Sequence, residues 1–134
     1  QYPINGEMIQ LKAMNQYRNT KMDIHARIYR FILTCFRDVV RKIPKSTENI
    51  PIISQLSSSL TSVGANDQEA DASATKKDFI AKYTIVRKEA KETQYWLSFI
   101  QDSGIVPFEV VKSYTNECHE ILMIVSKILQ NSKK

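Results

Sequence analysis

The chain of 134 residues carries 19 Lys+Arg against 14 Asp+Glu, a formal net charge of +5. That length suits one domain able to bury a core without disulfides or metal, and two cysteines are too few for a disulfide scaffold. Only 3 Gly and 4 Pro argue against an all-β chain of tight turns, a Gly-rich nucleotide loop and a low-complexity chain, and no apolar run approaches the ~20 residues of a membrane span.

Residues 1–20 form a leading segment apart from the domain predicted over 21–134. Met8, Leu11 and Met14 have the spacing of a short leading N-terminal helix, with Pro3 and Gly6 against its start. No charged-then-apolar leader is present, and the opening Gln1-Tyr2-Pro3 suggests a start further upstream. In the first long segment Ile28, Ile32, Cys35 and Val39 step by four, three and four, one apolar stripe of a helix. Thr20 with Asp23 resembles a capping box, and Pro44 is the expected stop. A second helix is predicted to begin between Ser46 and Pro51. Its seam is Ile53, Leu56, Leu60, Val63, Ala70 and Ala74, interrupted by the charge of Asp67. Ser57, Ser58, Ser59, Thr61, Ser62, Gly64 and Ala65 make this helix poor in bulk, which lets a neighbour approach closely, in the same subunit or in another.

The third segment is the clearest. Thr75 caps it with Asp78 three residues on, Phe79, Tyr83, Val86, Ala90, Thr93, Leu97 and Ile100 form its seam, and Gly104 supplies a left-handed C-cap. The fourth starts around Pro107, a good first-turn residue, with the seam Tyr114, Cys118, Ile121, Val125 and Ile128. A frayed tail, Asn131 to Lys134, follows. Four helices of about 22 to 28 residues with short connections predict an all-α, antiparallel up-down-up-down four-helix bundle.

Catalytic constellations are missing from the sequence. There is no Gly-x-Ser-x-Gly elbow, phosphate loop or His-Glu-x-x-His, and no Glu-x-x-His of the di-iron bundles. His25 and His119 share no motif. Glu117 and Glu120 read as a solvated face, as do Asp67, Glu69 and Asp71. Cys118-His119 diverge by about 100° on a helix. No enzyme activity, cofactor or metal is therefore expected. Cys35 and Cys118, both among apolar neighbours, are read as buried free thiols of a protein in the reducing cytoplasm.

Three groups rise above this background. Arg27, Arg30, Arg37 and Arg41 fall within an ~80° sector of the first helix, a stripe able to track a phosphate backbone. Arg87, Lys88 and Lys91 form a second basic group on the third helix, with Glu89 and Glu92 close in sequence. Tyr95, Trp96 and Phe99 form the aromatic end of that helix, with Trp96 and Phe99 on one flank of the seam, and suit a second core or a subunit interface more than base stacking. With Ser58, Ser62 and Gly64 of the second helix they are the candidate oligomer or partner interface.

The order and spacing of Ser62-Val63-Gly64-Ala65-Asn66, Glu69-Ala70, Lys77-Asp78-Phe79-Ile80, Lys88-Glu89-Ala90, Glu92-Thr93 and Tyr95-Trp96-Leu97 carry a resemblance. From Ile53 to Gly104 the chain resembles the four-helix-bundle proteins encoded by intervening sequences of 23S ribosomal RNA genes. From Asp23 onward it follows their layout, departing at Val106-Pro107-Phe108-Glu109, where the family commonly has Ser and acids. The resemblance implies a bundle that often assembles as a ring-like homopentamer, with no catalytic residues. A related branch, the accessory variability proteins of diversity-generating retroelements, implies a basic barrel that binds nucleic acid and a reverse transcriptase. Five copies at +5 each sum to +25, a strong field for a polyanion. The expected function is a non-catalytic oligomer that binds nucleic acid, RNA above all, through phosphates, as an accessory subunit of a reverse transcriptase or other RNA-containing complex. The alternative is a structural or adaptor oligomer that binds only proteins. No membrane partner is expected.

Overall fold

The computed structural model describes residues 23–134, so the leading segment and the Thr20 cap lie outside the described residues. Four helices follow in order: α1 (Asp23–Asp38), α2 (Ile50–Asp71), α3 (Lys76–Ser103) and α4 (Phe108–Ser132). No strand occurs among the described residues. Each of α1 and α3 packs on both α2 and α4, and neither on the other, so the bundle is a square with α1 and α3 on one diagonal. The short connections Ala72–Thr75 and Gly104–Pro107 make sequential helices antiparallel neighbours.

The seam of α3 follows its period from Tyr83 on, with Tyr83, Val86, Ala90, Thr93, Leu97 and Ile100 all buried, while Phe79 at its start is half-buried. The Thr75 hydroxyl accepts the Asp78 N–H at 3.1 Å, and Gly104 takes the left-handed conformation (φ 75°) that an L side chain resists. In α4, Cys118, Ile121 and Val125 are buried as expected, joined by Val111, Leu122 and Leu129. Pro107 stands just outside the first turn as its N-cap (φ −53°, ψ 138°), and its carbonyl accepts the N–H groups of Val110 and Val111. The α2 seam ends earlier than predicted. Ala74 is exposed in the connection, because Thr75 needs extended backbone (φ −129°, ψ 154°) to cap α3.

The end of α1 also differs from the expectation. The helix stops at Asp38, and a 3-10 turn at Val40–Lys42 precedes Pro44. A residue before proline is pushed out of the helical region, and Ile43 is extended (φ −67°, ψ 123°). The tighter turn seats Val39, Val40 and Ile43 in the core. Arg41 therefore sits on this turn and not on the helix face. Along α1 the buried stripe is Ile24, Ile28, Phe31, Cys35 and Val39. Ile32, placed in the seam by spacing alone, is half-buried and leans on α2.

Gly64 explains that lean. A Cβ on Gly64 would stand 2.7 Å from Ile32 Cδ1, so at Gly64 the close neighbour is α1 of the same chain, whereas buried Ser59 of the same helix meets Thr93 of α3. Alanine is worth about 1 kcal/mol over glycine inside a helix, and here the displaced Ile32 tip opposes that gain. Gly64→Ala is expected to stabilise the protein by about 1 kcal/mol in an Ile32→Val background, where Cδ1 is absent, and by clearly less in the wild type. Urea denaturation of the four proteins of this cycle measures the coupling.

Candidate nucleic-acid interface

The four arginines of the predicted stripe divide into two pairs. Arg27 donates from Nε and Nη2 to both oxygens of Glu117 on α4, at 2.7 and 2.8 Å, in a part-buried fork. Arg37 makes the same kind of fork with Asp38, at 2.9 and 3.3 Å. That guanidinium holds the Asp38 carboxyl below the usual carboxylate range, and Asp38 also accepts the Tyr114 hydroxyl. Burial, then the bond to Asp38, pushes the Tyr114 phenol up to about 12. These two arginines tie α1 to α4 and to its own last turn. Arg30 and Arg41 have no carboxylate partner among the described residues.

The second basic group gains a member and loses one. Arg87 and Lys91 face α4 and line a groove with Lys127, Ser126 and Gln130, over the side chains of Leu122 and Met123. Arg87 Nε donates to Ser126 Oγ at 3.0 Å, which holds the guanidinium at the groove's edge. No acidic side chain lines this groove. Lys88, about 100° round the helix from Arg87, is exposed outside it. Lys127 stands alone in sequence, one α4 residue among uncharged neighbours, and only the packing of α4 on α3 reveals its company.

The proposed interface residues lie on several faces. Tyr95 and Phe99 are exposed and Trp96 half-buried, joined edge-to-face at 4.9 Å (Tyr95–Trp96) and 6.1 Å (Trp96–Phe99). The Trp96 indole N–H donates to Glu92 at 3.4 Å. Ser58 is exposed, and half-buried Ser62 accepts the Asn66 amide. Gly64 faces α1, so it does not share a face with the aromatic group.

One polar cluster was not predicted. Asp67, read from sequence as helix-surface charge, is 1 % exposed. The Tyr83 hydroxyl donates to its Oδ1 at 2.6 Å, and His25 Nδ1 lies 2.9 and 3.0 Å from its two oxygens. A carboxylate only accepts, so Nδ1 carries the proton. His25 Nε2 is 3.3 Å from Asp71 Oδ1, so the ring, when protonated, faces a carboxylate from each nitrogen. Residues of α1, α2 and α3 thus meet at one buried acid. Glu69 turns away to Lys82 of α3 at 2.6 Å, so the three acids do not converge. Among the described residues no group of His, Cys, Asp and Glu is arranged to hold a metal ion. His119 accepts from Gln94 at 3.0 Å.

The hydrogen bond to Asp67 raises the His25 pKa above 6.5 against the opposing effect of burial. A raised folded-state value adds stability that is complete below the unfolded value and is lost as pH rises through the folded one. Stability is therefore expected to fall as pH climbs from about 6.5, and His25→Gln is expected to flatten that fall. Urea midpoints over a pH series measure both slopes. The two cysteines are buried and unpaired. Burial pushes the Cys118 thiol up to about 12 and that of Cys35 higher still, so neither is poised as a nucleophile.

Residues 20–127 match the sequence model of the 23S rRNA-intervening sequence protein family. The chain belongs to that family. A crystal structure from Bacteroides thetaiotaomicron, described as a protein of unknown function from the S23 ribosomal protein family, is similar to it. That structure shares 27% identity at a TM-score of 0.71, over 79% of this chain and 97% of its own. No curated protein matches the chain. The likeness to that structure agrees with the four-helix bundle. No helix among the described residues of this intervening-sequence protein is long and apolar enough to cross a membrane.

Proposed function

We propose that this intervening-sequence protein is a non-catalytic nucleic-acid-binding protein of the cytoplasm that holds the phosphate backbone of RNA and works as a homo-oligomer. The observation that carries this reading is the α3–α4 groove, where Arg87, Lys91 and Lys127 converge with no acid among the lining residues. Cations in such a groove gain by releasing the condensed counterions of a polyanion. Ser126 and Gln130 add hydrogen-bonding groups of the kind that fix a phosphodiester's position without reading its sequence. Arg30, Arg41 and Lys88 extend the positive surface. Arg27 and Arg37 belong to the scaffold and not to the binding set. Assembly as a ring of five, with its summed charge, would strengthen the field. A role beside a reverse transcriptase is the finer form of this reading.

The test is fluorescence anisotropy with a mixed-sequence single-stranded RNA and, as competitor, polyglutamate of equal charge. Expected is saturable RNA binding that polyglutamate displaces poorly. Equal competition by polyglutamate, or no binding at physiological salt, would overturn the reading. Exposed Tyr95 and Phe99 favour a second reading, an adaptor that binds proteins only. It predicts tight assembly with no RNA affinity.

A further inference from the structure

The α3–α4 groove carries an apolar side chain that phosphate binding alone does not use. Met123 is 57% exposed and lies among Arg87, Lys91 and Lys127, beside the nearly buried Leu122. The order along the groove follows from the helices. Arg87 meets Ser126 at 3.0 Å, and α3 and α4 run antiparallel. Lys91, about 6 Å further along α3, and Met123, about 4.5 Å back along α4, therefore lie towards the same end. Lys127 stands level with Arg87, and Gln130 lies beyond it towards the other end. Past Met123 the Gln94 amide meets His119 Nδ1 at 3.0 Å across the same two helices and bounds the groove. The acids nearest that end are exposed Glu120 on α4 and half-buried Glu89 and Glu92 on α3. None of them lines the groove, and Glu92 is turned to the Trp96 indole.

The groove holds about 330 Å³, the scale of a small-molecule site. It combines cations with a soft, polarizable thioether that packs well on an aromatic ring. A nucleotide presents both complements, a phosphate and a flat base. In a duplex the base faces are covered by their neighbours in the stack, and only phosphates reach a groove of this size. A single strand can turn a base out onto a protein surface.

We infer that the groove takes a single strand, with phosphates on Arg87, Lys91 and Lys127 and one base laid on Met123, and that it discriminates against duplex. The inference rests on the phosphate-binding function proposed above and adds the base contact to it. A groove acting by charge alone would favour the duplex, whose denser phosphates release more counterions. The order of preference therefore separates the two cases.

The test is fluorescence anisotropy on the full chain with three labelled RNAs matched in phosphate count: a mixed-sequence single strand, a duplex, and a strand of abasic residues. The single strand is expected to bind about 5-fold more tightly than the abasic strand, and more tightly than the duplex. Met123→Ala is expected to remove the advantage over the abasic strand, whose own affinity stays as it was. Met123→Tyr, which offers a ring for stacking, is expected to tighten the single strand alone. Met123 is exposed, and thermal melts confirm that both variants fold. Duplex or abasic RNA bound as tightly as the single strand would overturn the inference while leaving phosphate binding intact. So would a Met123→Ala variant that keeps the preference. An acidic peptide with Phe at alternate positions, matched in charge, is the protein-partner control, and equal competition by it would overturn the inference too. Binding of none of the three RNAs would overturn the proposed function and this inference together.

Discussion

Asp67→Ala is expected to destabilise the bundle by about 3–5 kcal/mol, a large share of the stability of a domain this size. The loss arises from what the substitution strands. The Tyr83 hydroxyl is fully buried and gives its hydrogen to Asp67, and the part-buried His25 ring is held by the same carboxylate. A donor left without an acceptor in the core keeps its full desolvation cost, whereas removing both ends of a buried hydrogen bond is far cheaper. Two further variants separate these contributions. Asp67→Asn keeps an acceptor for Tyr83 but sets an N–H donor or an uncharged oxygen against His25 Nδ1, and is expected to cost about 1–3 kcal/mol. Asp67→Leu combined with Tyr83→Phe is expected to recover part of what Asp67→Leu loses alone. Chemical denaturation of each variant gives the values, and a loss below about 1 kcal/mol for Asp67→Ala would mean that the cluster is not a structural link.

Reversing the groove charges, with Arg87→Glu, Lys91→Glu and Lys127→Glu together, is expected to weaken RNA binding on the order of 100-fold at low salt. The three cations converge from two helices on one groove, so a backbone lying there contacts all of them, and their replacement turns each attraction into repulsion. The positions are exposed or at a groove edge, and the variant is expected to keep the melting temperature of the wild type within a few degrees. Arg27→Gln should behave in the opposite way. It abandons the part-buried fork on Glu117, so stability falls while RNA affinity holds. Anisotropy and thermal melts on the two proteins resolve the contrast.

The helices themselves were legible because their signals are local. The Thr75 cap, the αL glycine Gly104 and the alternating steps of α3 all lie within one element. The end of α1 was not, since the apolar period runs unbroken through Val39 while the chain has already passed into a 3-10 turn. Asp67 stood in the seam at the correct step, and its burial became readable only with Tyr83 and His25 brought from two other helices. Three of the four stripe arginines lie on α1 and Arg41 on the turn beyond it, and the charge of the stripe was overestimated. Glu117, which neutralises Arg27, is 90 residues away, and no helical wheel of α1 contains it. Lys127 is the converse, a lone charge in sequence that packing makes part of a group. The chemistry of this protein lies in pairs across helices, and single-helix periodicity registers only one member of each pair.

The salt dependence of RNA binding, measured on the wild type and the triple groove variant side by side, tests the phosphate-binding account most directly. Each phosphate contact to a single strand contributes about −0.7 to the slope of log Kobs against log [KCl], so three contacts give about −2. The variant's slope is expected to be shallower than the wild type's by about that amount. Equal slopes in the two proteins would contradict it and place the RNA elsewhere on the bundle.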